Sequence, residues 1–96
     1  MYNTKNTETK NQKHNKLKIT SHKLKPIVTI SYKGFTLPVH KEIDVALKAH
    51  ELIKIKINKK EKIEREEIIN KICNDLNCTL IKSIGRIIVI YRENIE

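Results

Sequence analysis

The segment Ser31-Tyr32-Lys33-Gly34 joins a β-branched run to a helical pattern, and its residue types suit a phosphate-bearing ligand. A helix opening directly after it presents free backbone N–H groups and the positive end of its dipole, and both favour an anion. Lys33 adds a mobile positive charge, and Tyr32 offers an aromatic face on which a base can stack. Lys23, Lys25, Lys41 and Arg86 are the candidates for further phosphate contacts. The planar fork of Arg86 can grip one phosphate with two bonds. Each residue also has a plain structural alternative. Gly34 can be a turn residue, Tyr32 can pack against the domain, Arg86 can serve a hairpin turn, and Lys33 and Lys41 can be ordinary solvated lysines. Lys54 and Lys56 fit a solvated strand face better than a direct contact.

Other chemistry has weaker support. Cys73 and Cys78 are five positions apart, with no second Cys pair and no His pattern beside them, which is not a zinc spacing. His14, His22, His40 and His50 are scattered. Glu61, Glu64, Glu66 and Glu67 read as a charge-paired helix face rather than an acid/base dyad. No Walker loop, nucleophile elbow or dinucleotide fingerprint is present. The expectation is therefore no metal, no cofactor and no enzyme: nothing can be named as a catalytic group.

The charge balance narrows the partner. The chain has 96 residues, enough for one domain, with 20 Lys and Arg against 11 Asp and Glu, for a net charge of +9 and a pI near 9.7. Such an excess favours a polyanion: RNA, DNA or an anionic membrane. Residues 1–25 carry a net of +6, residues 26–60 a net of +4 and residues 61–96 a net of −1, so the positive field comes from the first two thirds. No apolar run approaches the roughly 20 residues of a membrane span. The first 16 residues hold no aliphatic residue after Met1, so no secretory signal core is expected. Two cysteines make no disulfide framework, and reduced thiols in the cytoplasm are the simpler expectation.

The elements that must position these residues follow from periodicity. Residues 1–10 read as a disordered basic arm, too polar to offset ordering entropy. Asn11 to His22 reads as a polar helix with Leu17 toward the core, ending before Pro26 because Lys25 precedes a proline. Ile27–Ile30 is a strand, 31–34 a turn, and Leu37–His50 a helix with Thr36 as N-cap and Pro38 in its first turn. Leu52–Ile57 alternates buried Ile with basic Lys. Glu61–Leu76 is the clearest helix, with Glu61–Arg65, Lys62–Glu66 and Glu67–Lys71 spaced as ion pairs and Asn77 suited to the left-handed position closing it. Thr79–Ile84 and Ile87–Tyr91 flank Gly85-Arg86 as a hairpin. The continuous Ile87-Ile88-Val89-Ile90 suits a strand covered on both faces.

Five blocks stand out in order: His22-Lys23-Leu24-Lys25-Pro26, then Val28-Thr29-Ile30 running into Lys33-Gly34-Phe35-Thr36, then Glu42-Ile43-Asp44 with Ala46-Leu47. His50-Glu51-Leu52-Ile53-Lys54-Ile55-Lys56 follows, and last Leu80-Ile81 through Ile84-Gly85-Arg86 to Tyr91-Arg92. Together they resemble the CRM domain family (chloroplast RNA splicing and ribosome maturation), specifically its stand-alone bacterial YhbY type. The resemblance covers about residues 17–92. It implies a fold similar to the C-terminal domain of translation initiation factor three. It also implies association with precursors of the large ribosomal subunit, as for bacterial members, and a GxxG loop like that by which KH domains clamp a nucleotide backbone. Ser31 stands where the first loop glycine is expected, and a positive φ there would cost serine more than glycine. His22 and His50 match family positions, which implies a supporting role or a place on the RNA face.

The combined expectation is a single α/β domain with a four-stranded mixed β-sheet and packed helices in the order αβαβαββ. Residues 11–96 form the CRM-like RNA-binding domain. Its partner is RNA, recognised by shape, and through the resemblance ribosomal RNA in large-subunit precursors; no membrane is expected, and the state is monomeric. The alternatives are a general RNA-binding or RNA-chaperone module for other transcripts, or a basic protein–protein adaptor.

Overall fold

The computed structural model describes residues 9–94, which form α1 (Lys10–Ser21), β1 (Pro26–Ile30), α2 (Leu37–His50), β2 (Leu52–Ile57), α3 (Lys62–Leu76), β3 (Thr79–Ile84) and β4 (Ile87–Tyr91). The four strands make one mixed sheet in the order β1-β2-β4-β3. β1 runs parallel to β2, which forces a crossover, and α2 supplies it. β4 lies between β2 and β3 and is antiparallel to both. That central place explains its unbroken apolar sequence: Ile88, Val89 and Ile90 are all buried.

Alternation divides the sheet into two faces. Ile53, Ile55 and Ile57 of β2 pair with Val28 and Ile30 on one side and with Ile88 and Ile90 on the other, so these side chains share a face. They form the core with Ile43 and Leu47 of α2 and Ile69, Ile72 and Leu76 of α3. The opposite face carries Lys54, Lys56 and Val89, and α1 lies across part of it. Leu17 of α1 lines a cleft with Ile81 and Tyr91, and His14 Nε2 is hydrogen-bonded to Ile81 O at 3.0 Å.

α1 starts one residue earlier than its polar periodicity predicts. Thr9 is the N-cap of a capping box: its hydroxyl accepts from Gln12 N at 3.1 Å, and Thr9 N donates to Gln12 Oε1 at 2.9 Å. Of the arm expected over residues 1–10, residues 1–8 lie outside the described residues, Thr9 is the N-cap and Lys10 opens the helix. β1 likewise begins one residue early, at Pro26, whereas α3, expected from Glu61, begins one residue late at Lys62 with Glu61 as its N-cap.

The three ion pairs expected along α3 do not form. Arg65 turns back instead, donating to Lys59 O and Lys60 O, each at 2.7 Å. A charged donor to two carbonyls that no strand partner satisfies is worth more than an exposed pair of charges. Asn77 takes the expected left-handed conformation at φ 52°, with Cys78 N donating to Cys73 O at 3.2 Å. Cys73 and Cys78 meet there. The Cys78 thiol, hydrogen-bonded to Cys73, lowers Cys73 to about 7 against the opposing effect of burial, while the same contact and burial raise Cys78.

Arg92 ties the helices together. Its Nη1 donates to Asp44 Oδ1 at 2.9 Å and to Leu76 O at 3.0 Å, and its Nη2 donates to Asp44 O at 3.2 Å. The Arg92 hydrogen bond, then that of Lys48, holds the Asp44 carboxyl below its ordinary value. Arg92→Met is expected to destabilise the fold by about 1–3 kcal/mol at neutral pH. The Asp44 contribution is full above the unfolded value near 3.8 and is lost as pH falls through the lower folded value. Urea melts at neutral and strongly acid pH should therefore show the Arg92→Met deficit shrinking in acid. A deficit of constant size would contradict this role for the pair.

Candidate nucleic-acid interface

One end of the sheet gathers the loop residues. Asn58 N donates to Ile30 O at 2.8 Å and Ile57 N to Arg86 O at 2.7 Å, so the ends of β1 and β2 and the β3–β4 turn lie side by side. Ser31–Gly34 therefore shares this end with Arg86 and with the Asn58-Lys59-Lys60 loop. The turn is closed by Gly34 N donating to Ser31 O at 2.9 Å and by Lys33 N donating to Ser31 Oγ at 3.3 Å.

Gly34 has φ +85°, a left-handed conformation that glycine adopts without penalty. An added Cβ would meet only Lys59 Cε, at 4.0 Å, so the backbone rather than crowding demands glycine there. Ser31 differs. The non-glycine residues with positive φ among those described are Glu51 and Asn77, so Ser31 carries no left-handed strain. Its hydroxyl instead caps the turn. The φ penalty anticipated for serine at this place does not arise.

The side chains of the loop face solvent. Tyr32 is 73% exposed, which settles its alternatives: its ring is not packed against the domain. Lys33, Lys41 and Arg86 are exposed and none forms an ion pair with the described residues. Phe35 holds the loop exit, packing on the core and stacking on His40 at 5.3 Å between ring centroids. α2 then starts at Leu37. Thr36 occupies the N-cap position but makes no side-chain cap, leaving the first-turn amides of Leu37 and Val39 to other acceptors.

Lys23 and Lys25 do not join this group. They precede β1, and a five-residue strand at about 3.3 Å per residue puts them roughly 15 Å from the loop. They line a separate cleft with His50 and Lys54. Lys59, which periodicity assigns with Lys60 simply to a connecting loop, sits beside Gly34 and also pairs with Glu64 at 3.5 Å. Its signal was a short Lys-Lys run, which becomes informative only once parallel pairing of β1 and β2 is known. Of the other histidines, His14 bonds Ile81 O through its ring, while at His22 the backbone N–H closes α1 and the side chain is exposed. Among the described residues no group of three or more His, Cys, Asp or Glu side chains is placed to hold a metal, and no helix is long and apolar enough to cross a membrane.

This arrangement, an exposed turn and aromatic ring among unpaired cations at a helix entrance, suits a sugar–phosphate chain. Comparisons with known proteins agree. A protein of Haemophilus influenzae named as an RNA-binding protein is 38% identical over 80 residues, spanning 83% of this chain and 81% of that one. A Pseudomonas aeruginosa protein named as a probable RNA-binding protein is 35% identical over 77 residues, 80% of this chain and 74% of that one. The solution structure of a hypothetical Staphylococcus aureus protein proposed to bind RNA superposes with a TM-score of 0.79 at 28% identity, covering 93% of each chain. The family profile described as the CRS1 / YhbY (CRM) domain matches residues 9–92, and the chain belongs to that family.

Proposed function

We propose that the protein binds structured ribosomal RNA in precursors of the large ribosomal subunit and assists their assembly, acting as a cytoplasmic monomer that catalyses no reaction. The observation that carries the RNA part is the loop end of the sheet. There the exposed Lys33 and Arg86 share one end of the sheet with the exposed Ser31 and Tyr32, and neither pairs with a carboxylate of the described residues. Several phosphate contacts of this kind give binding that falls steeply with salt. The family supplies the ribosomal part of the reading. The contacts offered at the loop end are to phosphates, so the shape of a folded RNA is the feature this reading has the protein recognise.

Sedimentation of cell extracts tests the proposal. The protein should travel with large-subunit precursors at low salt and leave them as salt rises. Migration only with free protein at low salt would overturn it. Crosslinking in cells followed by sequencing of the bound RNA should return ribosomal sequence; a spread over other transcripts would replace the ribosomal reading with a general RNA-binding one.

A further inference from the structure

We infer that the cleft at the far end of β1 is a second RNA subsite, one that takes a single unpaired nucleotide. Its phosphate is held by Lys23, Lys25 and Lys54 and its base lies on Leu24 and Ile27. The inference rests on the RNA-binding reading and deepens it, since the loop end alone offers no place for a base to be enclosed.

The cleft lies where α1 ends and β1 and β2 begin, with a volume of about 370 Å³, within the usual range of small-ligand sites. Two features make it suitable for a nucleotide. Its rim is cationic: Lys23, Lys25 and Lys54 project around it, His50 closes one side, and no carboxylate of the described residues pairs with the three lysines. Its floor is apolar and uncovered. The register of β1 on β2 slips between Pro26 and Val28, so Ile27 is the extra residue of a bulge. Bulges re-aim side chains. Here the bulge leaves Ile27 49% exposed in the cleft, an unusual place for a large aliphatic residue on a strand.

An anionic occupant follows from the rim and a flat apolar group from the floor. In a paired RNA helix the bases are stacked inside and cannot reach such a floor, whereas an unpaired nucleotide presents both groups. The cleft is also connected to the loop end. Lys54 and Lys56 lie two residues apart on the same sheet face, with Lys54 beside Pro26 and Lys56 beside Thr29, so cations mark the route between the two sites. The structured part of the RNA then sits at the loop and an unpaired flank runs along the β1–β2 ribbon into the cleft.

Fluorescence anisotropy with two probes tests this: a blunt RNA hairpin and the same hairpin with a short unpaired tail. For the unaltered protein the tail should tighten binding about tenfold, the order expected when one phosphate contact and one apolar contact are added. Ile27→Ser, which leaves the charge unchanged, and the pair Lys25→Gln with Lys54→Gln should each erase most of that ratio. Lys25 and Ile27 are exposed and Lys54 is half-buried, so circular dichroism melts of each variant should match the unaltered protein before the binding ratio is read. No gain from the tail, or a gain that survives in both variants, overturns the cleft while hairpin binding keeps the structured-RNA reading. A free unpaired strand that binds through Ile27 while the hairpin does not would support the cleft and overturn that reading instead.

Discussion

Lys33→Glu combined with Arg86→Glu is expected to weaken binding to a structured RNA by about a hundredfold at moderate salt. The two residues stand at one end of the sheet, both exposed and both free of ion pairs with the described residues. Each reversal removes an attraction to phosphate and adds a repulsion. Four such changes at roughly 0.5–1 kcal/mol each come to about 2–4 kcal/mol, and 1.4 kcal/mol is tenfold. The slope of log affinity against log salt should also flatten by about 2, one for each lost phosphate contact. Lys71→Glu, on the exposed surface of α3, alters the net charge but not the loop, and should change affinity by less than about threefold. Equal losses from Lys71→Glu and Lys33→Glu, measured singly, would mean that overall charge and not the loop governs binding.

The largest effect on stability is expected at the centre of the sheet. Ile55 is fully buried and lies between Val28 of β1 and Ile88 of β4. Ile55→Ala removes buried methylene groups where strands on both sides restrict collapse, at about 2–5 kcal/mol. For a domain of this size that lowers the thermal midpoint by at least about 10 °C. Lys56→Ala, one residue on and pointing to the opposite face, should change stability by no more than about 0.5 kcal/mol. Thermal melts followed by circular dichroism compare the two, and similar shifts would contradict the assignment of faces.

Much of this was legible from the chain. The alternation of Ile and Lys over 52–57 named both the strand and its buried side, and the unbroken Ile87–Ile90 run announced a strand covered twice. Thr9 three residues before Gln12 carries the capping-box pattern, yet helix α1 is so polar that periodicity alone gave its start one residue late. What the sequence left closed is three-dimensional. The strand over Ile27–Ile30 is by itself enough to part Lys23 and Lys25 from the loop, whereas strand order cannot be read from local pattern. For that reason Lys59, distant in sequence from Gly34, gave no sign of standing beside it. The positive φ feared at Ser31 was an inference from a glycine pattern. The turn needs a left-handed residue only at its last position, and serine serves as a cap at its first.

The placement of β4 has a consequence for the order of events in a growing chain. The strand that follows all the others takes an interior slot, so β2 keeps an open edge and β3 has no neighbour until Ile87–Tyr91 arrives. The loop end is assembled by the same step, because Arg86 and the hydrogen bond from Ile57 N to its carbonyl come with β4. During synthesis, therefore, the nascent polypeptide holds its lysines but not yet the surface that arranges them, and docking of one late segment completes fold and interface together.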